Sequence, residues 1–171
     1  MGFTSKLETL FFILIILFCS CSNKNEQDLY IELPIASQFI PASIEINKTD
    51  LDDQERQEIM NLVNNIHVIN DISELPNDPI GQNEAFYNIN YNEYTLLIMY
   101  IFKIWNIDTY SNSFYRNTQE NSYNWVVRLG TSTKYDPDNE LIQFTRFAIL
   151  VRKLPIDADV KMWHSFTFLG S

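Results

Sequence analysis

Cysteine is nearly missing from this chain: two copies in 171 residues, Cys19 and Cys21. Beyond position 21 no disulfide can form, so the rest of the chain must fold on its hydrophobic core alone. Glycine is scarce too, at four residues, and neither a Gly-rich phosphate loop nor a GxSxG nucleophile elbow is present. Positive charge is the minority, with 12 Lys and Arg against 22 Asp and Glu and a net charge of −10. The basic residues are scattered, whereas neutralising a phosphate backbone needs them clustered, which argues against nucleic acid as a partner. The same balance disfavours adhesion to anionic lipid. The apolar run Leu10-Phe-Phe-Ile-Leu-Ile-Ile-Leu-Phe18 is too short to span a bilayer. As a helix it would rise roughly 14 Å, about half of the hydrocarbon thickness.

That run follows Lys6 and is followed by small Ser20, the layout of a secretory signal rather than a membrane anchor. Leu17-Phe-Cys-Ser-Cys21 resembles the lipobox of bacterial lipoproteins, in which a small residue precedes a cysteine that is lipidated and becomes the new N-terminus. Ser20 precedes Cys21, but bulky Phe18 precedes Cys19. Cys21 is therefore the expected lipid attachment, and Cys19 is expected to leave with the signal. Residues 1–20 read as signal peptide, 21–28 as lipidated cysteine and polar flexible tether, and 29–171 as one domain. The resemblance further implies a bacterial envelope location, and Ser22 rather than Asp after the cysteine fits sorting to the outer membrane. Acyl chains contribute about 0.8 kcal/mol per buried methylene, so two or three of them hold a protein durably on a membrane.

Along the domain, Leu29-Tyr-Ile-Glu-Leu33 reads as a strand stopped by Pro34, and residues 35–46 read as irregular, broken by Pro41. The spacing of Ile59, Leu62, Val63 and Ile66 predicts one amphipathic helix, with Thr49 or Asp50 as cap and acids in its first turn. A short strand is expected over 66–69. Asp71-Ile-Ser-Glu-Leu-Pro76 has the chemistry of a capped helical turn. Thr95-Leu-Leu-Ile-Met-Tyr-Ile-Phe102 is a continuous apolar run of strand length, expected at the centre of a sheet with both faces covered. Tyr123, Trp125, Val127 and Leu129 alternate as in a half-buried strand, paired through residues 117–121 with a strand over 109–116. Further strands are expected over 141–151 and 160–168, separated by a turn at 155–159. Short connections favour antiparallel neighbours. The expected fold is α+β: a mostly antiparallel sheet, sandwich-like or open, with one main helix packed on it.

Chemistry-bearing motifs are few. His67 and His164 lie in separate strands without HExxH spacing and read as structural histidines. Asp136, Asp138 and Glu140 alternate, but an EF-hand starting at Asp136 would place Leu141 and Phe147 where it needs Gly and Glu. A turn built by Asp-Pro-Asp-Asn is the simpler reading. No cofactor and no metal are expected, and no catalytic residue stands out. Tyr87, Tyr91, Tyr94, Tyr110, Tyr115, Tyr123, Trp125 and Trp163 suit pleated, half-buried surfaces. Any that remain exposed together would mark a binding face, and Tyr110 and Tyr115, in the hairpin poorest in aliphatics, are the first candidates.

From Ile66 onward the order of segments resembles that of small uncharacterised bacterial lipoproteins, through Asp71-Ile-Ser-Glu-Leu-Pro76, Tyr94-Thr-Leu-Leu-Ile98 and the hairpin through Trp125. Phe147-Ala-Ile-Leu-Val-Arg-Lys-Leu-Pro155 completes the match. More distantly it is similar to the PrcB-like C-terminal domain of an accessory subunit in a surface protease complex. That resemblance implies a non-catalytic domain that binds another envelope protein or assembles a complex. The alternatives are a glycan-binding module beside a polysaccharide-uptake system and a small hydrolase. An unpaired edge strand would favour a protein partner, and an exposed aromatic strip a glycan. A deep pocket with converging polar side chains would favour the hydrolase.

Overall fold

The apolar run explains the layering. It forms β5 (Tyr94–Lys103), and its side chains are buried on both sides. Leu97, Met99 and Ile101 face one core, while Leu96, Ile98 and Tyr100 face another. A strand with a protein layer over each face has no place for the alternating polar residues of a half-exposed one.

The computed structural model describes residues 29–47, 52–63, 65–103, 107–132 and 141–169. In chain order these give β1 (Tyr30–Leu33), β2 (Ile35–Gln38), β3 (Ala42–Asn47), α1 (Asp53–Val63) and β4 (His67–Ile69), then β5. Next come β6 (Thr109–Asn117), β7 (Ser122–Thr131), β8 (Leu141–Arg152) and β9 (Val160–Phe168). Two 3-10 helices, Ile72–Glu74 and Glu84–Asn88, lie between β4 and β5. The fold is α+β, mostly antiparallel, with a single α-helix among the described residues.

One sheet runs β2-β8-β5-β4, with β3 also pairing β8; the other runs β1-β6-β7-β9. The five-stranded sheet meets the four-stranded one through Leu97, Met99, Phe147 and Ile149, packed on Phe114, Trp125, Val127 and Leu129. Burying such side chains contributes about 1.5–3 kcal/mol each, which is what holds a fold with no disulfide beyond position 21. The buried Trp125 indole donates to Asn112 Oδ1 at 3.0 Å, and Asn112 Nδ2 donates to Gln38 Oε1 at 3.1 Å, so one polar chain ties the two sheets together. On its other face the five-stranded sheet is covered by α1 and by the segment containing both 3-10 helices.

Residues 35–46, expected to be irregular, instead form β2 and β3. Both strands lie on the same edge of β8: Ile35 to Gln38 pair its C-terminal half, and Ala42 to Asn47 pair its N-terminal half. Pro41 interrupts the edge without ending it, because β8 is long enough to template both pieces. The expected helix caps, Thr49 and Asp50, lie outside the described residues. The observed cap is Asp52, whose carboxylate accepts from Glu55 N at 2.8 Å while Glu55 accepts from Asp52 N at 2.9 Å. The helix ends at Val63, so Ile66 sits beyond it. The turn at 71–76 is present with its capping box on Asp71 and Glu74. The antiparallel rule fails at β7 and β9, which are parallel. The chain leaves β7, crosses to the other sheet as β8 and returns, which removes the short connection that would enforce antiparallel pairing.

Candidate functional site

Two places in the fold gather side chains that packing alone does not explain. The first is a cavity of about 790 Å³ on the helix-covered face of the five-stranded sheet. Its apolar walls are Ile44 and Ile46 from β3 and Ile59 and Leu62 from α1; His67 of β4 lines it too. Pairing places His67 opposite Ile98 and Tyr100 opposite Arg146, so all four share that face of the sheet. The His67 and Tyr100 rings meet edge-on at 5.7 Å, and Tyr100 stacks on Phe144 at 5.1 Å.

A buried ion pair anchors this polar group. Asp78 and Arg146 are both nearly inaccessible and bonded directly to each other. Arg146 also donates to the Gly81 carbonyl at 2.7 Å, and its guanidinium lies 5.2 Å from the centre of the Phe86 ring. The second Asp78 oxygen accepts from Ile80 N at 2.9 Å, closing the turn Asp78-Pro-Ile-Gly81. Gly81 closes that turn with φ +94°, a conformation that suits glycine. Burial, then the Asp78 carboxylate, push the Tyr100 hydroxyl upward in pKa, so it stays protonated. Burial holds His67 below its ordinary pKa, against the opposing pull of the Leu62 carbonyl and Asp78. The buried His67 Nε2 and the Tyr100 hydroxyl have no hydrogen-bond partner among the described residues.

The second place is β9. It pairs with β7 on one side and is the last strand of its sheet among the described residues. Every residue from 163 to 169 is exposed, including Trp163 at 61%, Phe168 at 53% and Leu169 at 48%. Parallel register puts Lys161, Trp163, Ser165 and Thr167 on the sheet's outer face with Asn124, Val126 and Arg128. The Trp163 indole donates to Asn124 Oδ1 at 3.1 Å, which fixes the ring on that face. Tyr123 N donates to Asp159 O at 2.8 Å and Leu169 N to Thr131 O at 2.7 Å. The odd residues of β9 therefore bond inward to β7, and the even ones aim their N–H and C=O groups away from it.

Tyr110 and Tyr115 are not brought together. Five residues apart on a strand of period two, they point to opposite faces of β6. Tyr110 faces inward, against Phe147 at 5.9 Å between ring centres, and keeps 38% exposure at the sandwich rim. Tyr115 is half-buried on the outer face, opposite Asn124 and so in the same row as Lys161. The exposed aromatic of that face is Trp163, readable from the alternation of Lys161, Trp163, Ser165 and Thr167. Tyr123 and Trp125 are core, and Tyr94 is covered by the Arg152 guanidinium at 5.4 Å. The histidines lie in different sheets, and the described residues contain no cluster of three potential metal ligands. Cys21 and the acidic run at 136–140 lie outside the described residues.

No family model, curated protein or solved structure matches this chain. Function is therefore argued from these two places alone.

Proposed function

We propose that this chain is a lipid-anchored protein of the bacterial cell envelope that binds another envelope protein by accepting a strand at the edge of β9. The observation that carries the reading is a last strand that, among the described residues, has none of the usual protection of an edge. Proteins blunt exposed edges with proline, charged side chains or short strands. β9 is nine residues long and has no proline, and after Lys161 it contains no Lys, Arg, Asp or Glu. An edge of this kind invites pairing, and alternate side chains around Trp163 and Phe168 would supply selectivity. The resemblance to a PrcB-like accessory domain points the same way, and the lipobox-like Cys21 supplies the anchor in this reading. The domain is non-catalytic in this proposal, its chemistry limited to recognition.

The test is a photo-crosslinking residue at position 168 of the full-length protein in its native envelope. A single defined protein adduct is expected, lost on His164→Pro, which removes an edge-facing N–H but leaves the bonds to β7 in place. No adduct, or an adduct indifferent to that proline, would reject strand addition.

Trp163 gives a second reading a specific footing. An exposed indole oriented by Asn124 and flanked by Arg128 and Lys161 has the form of a stacking platform for a sugar ring. Binding of a labelled oligosaccharide that disappears with Trp163→Ala would favour that alternative.

A further inference from the structure

We propose that the cavity beneath α1 binds a small organic cation, its apolar body on Ile44, Ile46, Ile59 and Leu62 and its ammonium held by Glu55 and Glu58. The volume, about 790 Å³, lies in the range of sites that enclose a drug-sized ligand, roughly 300–1,000 Å³. In such sites apolar walls supply contact, and a few polar groups decide which ligand is taken. Here the charged members of that polar set are both acids.

Glu55 and Glu58 are three residues apart on α1, so their side chains are neighbours on the helix surface, and both line the cavity. Each keeps one carboxylate oxygen on a local partner: Glu55 accepts from Asp52 N and Glu58 from Gln54 Nε2, both at 2.9 Å. Neither is ion-paired among the described residues, and no Lys or Arg lines the cavity among them. Arg56 pairs with Asp53 at 3.5 Å instead and is not part of the lining. Burial keeps the His67 ring neutral, so it adds no opposing charge. The other polar lining residues, Asn61, Asn65 and Asn77, carry amide oxygens of the kind an ammonium N–H can meet.

Charge complementarity selects the occupant. A carboxylate would meet two carboxylates with no counterion beside them. A neutral molecule would use the walls and leave both charges unmatched. A metal ion finds too few ligands, because the described residues hold no group of three His, Cys, Asp or Glu able to bind one. An ammonium on an apolar frame uses walls and acids together, and the chain's net charge of −10 draws cations toward it.

The experiment uses the full chain in phosphatidylcholine nanodiscs with ¹³C-methyl-labelled isoleucine. Ile59 reports the cavity, and Ile149, in the core on the opposite face of the same sheet, is the internal control. Three matched probes are titrated: 2-cyclohexylethylammonium, 2-cyclohexylethanol and cyclohexylacetate. The ammonium is expected to shift the Ile59 methyl saturably and leave Ile149 unmoved. The alcohol should bind about fivefold to tenfold more weakly, the worth of two partly exposed ion pairs, and the carboxylate more weakly still. Raising the salt from about 0.05 to 0.5 M should narrow the gap between ammonium and alcohol. Glu55→Gln with Glu58→Gln keeps an oxygen for each local hydrogen bond and removes both charges. This double variant is expected to bring the ammonium down to the affinity of the alcohol and leave the alcohol's own unchanged. Leu62→Trp, which fills the cavity from its half-buried wall, should abolish binding of all three. An absent or unsaturable response to the ammonium overturns the proposal. So does an alcohol or carboxylate that binds as tightly, or ammonium affinity indifferent to the double Gln variant.

Discussion

Asp78 has two carboxylate oxygens, and the fold uses both: one closes its own turn on Ile80 N, the other binds Arg146 in the sheet below. A single side chain thus shapes a loop and fastens it across the helix-facing layer. Because the pair is buried, removing one partner strands a charge where water does not reach. Asp78→Asn is expected to destabilise the domain by about 3 kcal/mol or more, read as a lower denaturant midpoint at unchanged slope. His67 carries a pH signature of its own. Its pKa is lowered by folding, so below about 6.5 the unfolded chain binds a proton that the native ring resists. Stability contributed by the neutral ring is fully present above that pH and is lost as pH falls toward the depressed native value. Denaturation midpoints between pH 7.5 and 5.5 should therefore fall less steeply for His67→Gln than for the parent. Equal slopes would place His67 in water.

Among elements, the β6–β7 hairpin is the one most dependent on its turn. Asn117 Oδ1 accepts from Gln119 N at 2.9 Å and Glu120 N at 3.2 Å, and Asn121 closes the turn with φ 52°. Asn tolerates that conformation and a β-branched residue does not. Asn121→Gly should leave thermal stability nearly unchanged, whereas Asn121→Val should cost about 1–2 kcal/mol, measured side by side by calorimetry. This hairpin was legible in the sequence because period-two alternation and a polar connection are local signals. β5 was legible because seven apolar residues from Leu96 to Phe102 leave no solvent face. The capping box at Asp71 could also be read, since both partners lie three residues apart. What escaped was set by distant chain. β2 and β3 are strands because β8 offers them an edge, and nothing near Pro41 announces it. The parallel β7–β9 pair depends on β8 crossing to the other sheet. The cavity escaped for the same reason: Ile44, Ile59 and His67 come from three segments that only the tertiary fold brings together. The pairing of Tyr110 with Tyr115 fails by parity alone, an odd spacing on a strand.

At the scale of the whole molecule, the proposed anchor and the proposed edge work together. Ser22-Asn-Lys-Asn-Glu-Gln-Asp28 could reach at most about 25 Å when extended, which would keep the domain, and any strand it accepts, close to the bilayer. The chain's net charge of −10 would keep it from settling on anionic headgroups, leaving β9 accessible beside the membrane. Confinement of both partners to one surface raises their effective concentration, so a weak strand-addition contact can persist without a large interface. Cys21→Ser is expected to abolish incorporation of radiolabelled palmitate and to shift the protein from the membrane pellet to the soluble fraction. Cys19→Ser should change neither, because the small residue precedes position 21. The released Cys21→Ser protein should still present β9, so a crosslinker at position 168 should recover the same partner at high protein concentration and lose it on dilution. An adduct of undiminished yield from the soluble protein would mean that the edge contact is strong by itself and that the membrane contributes nothing to it.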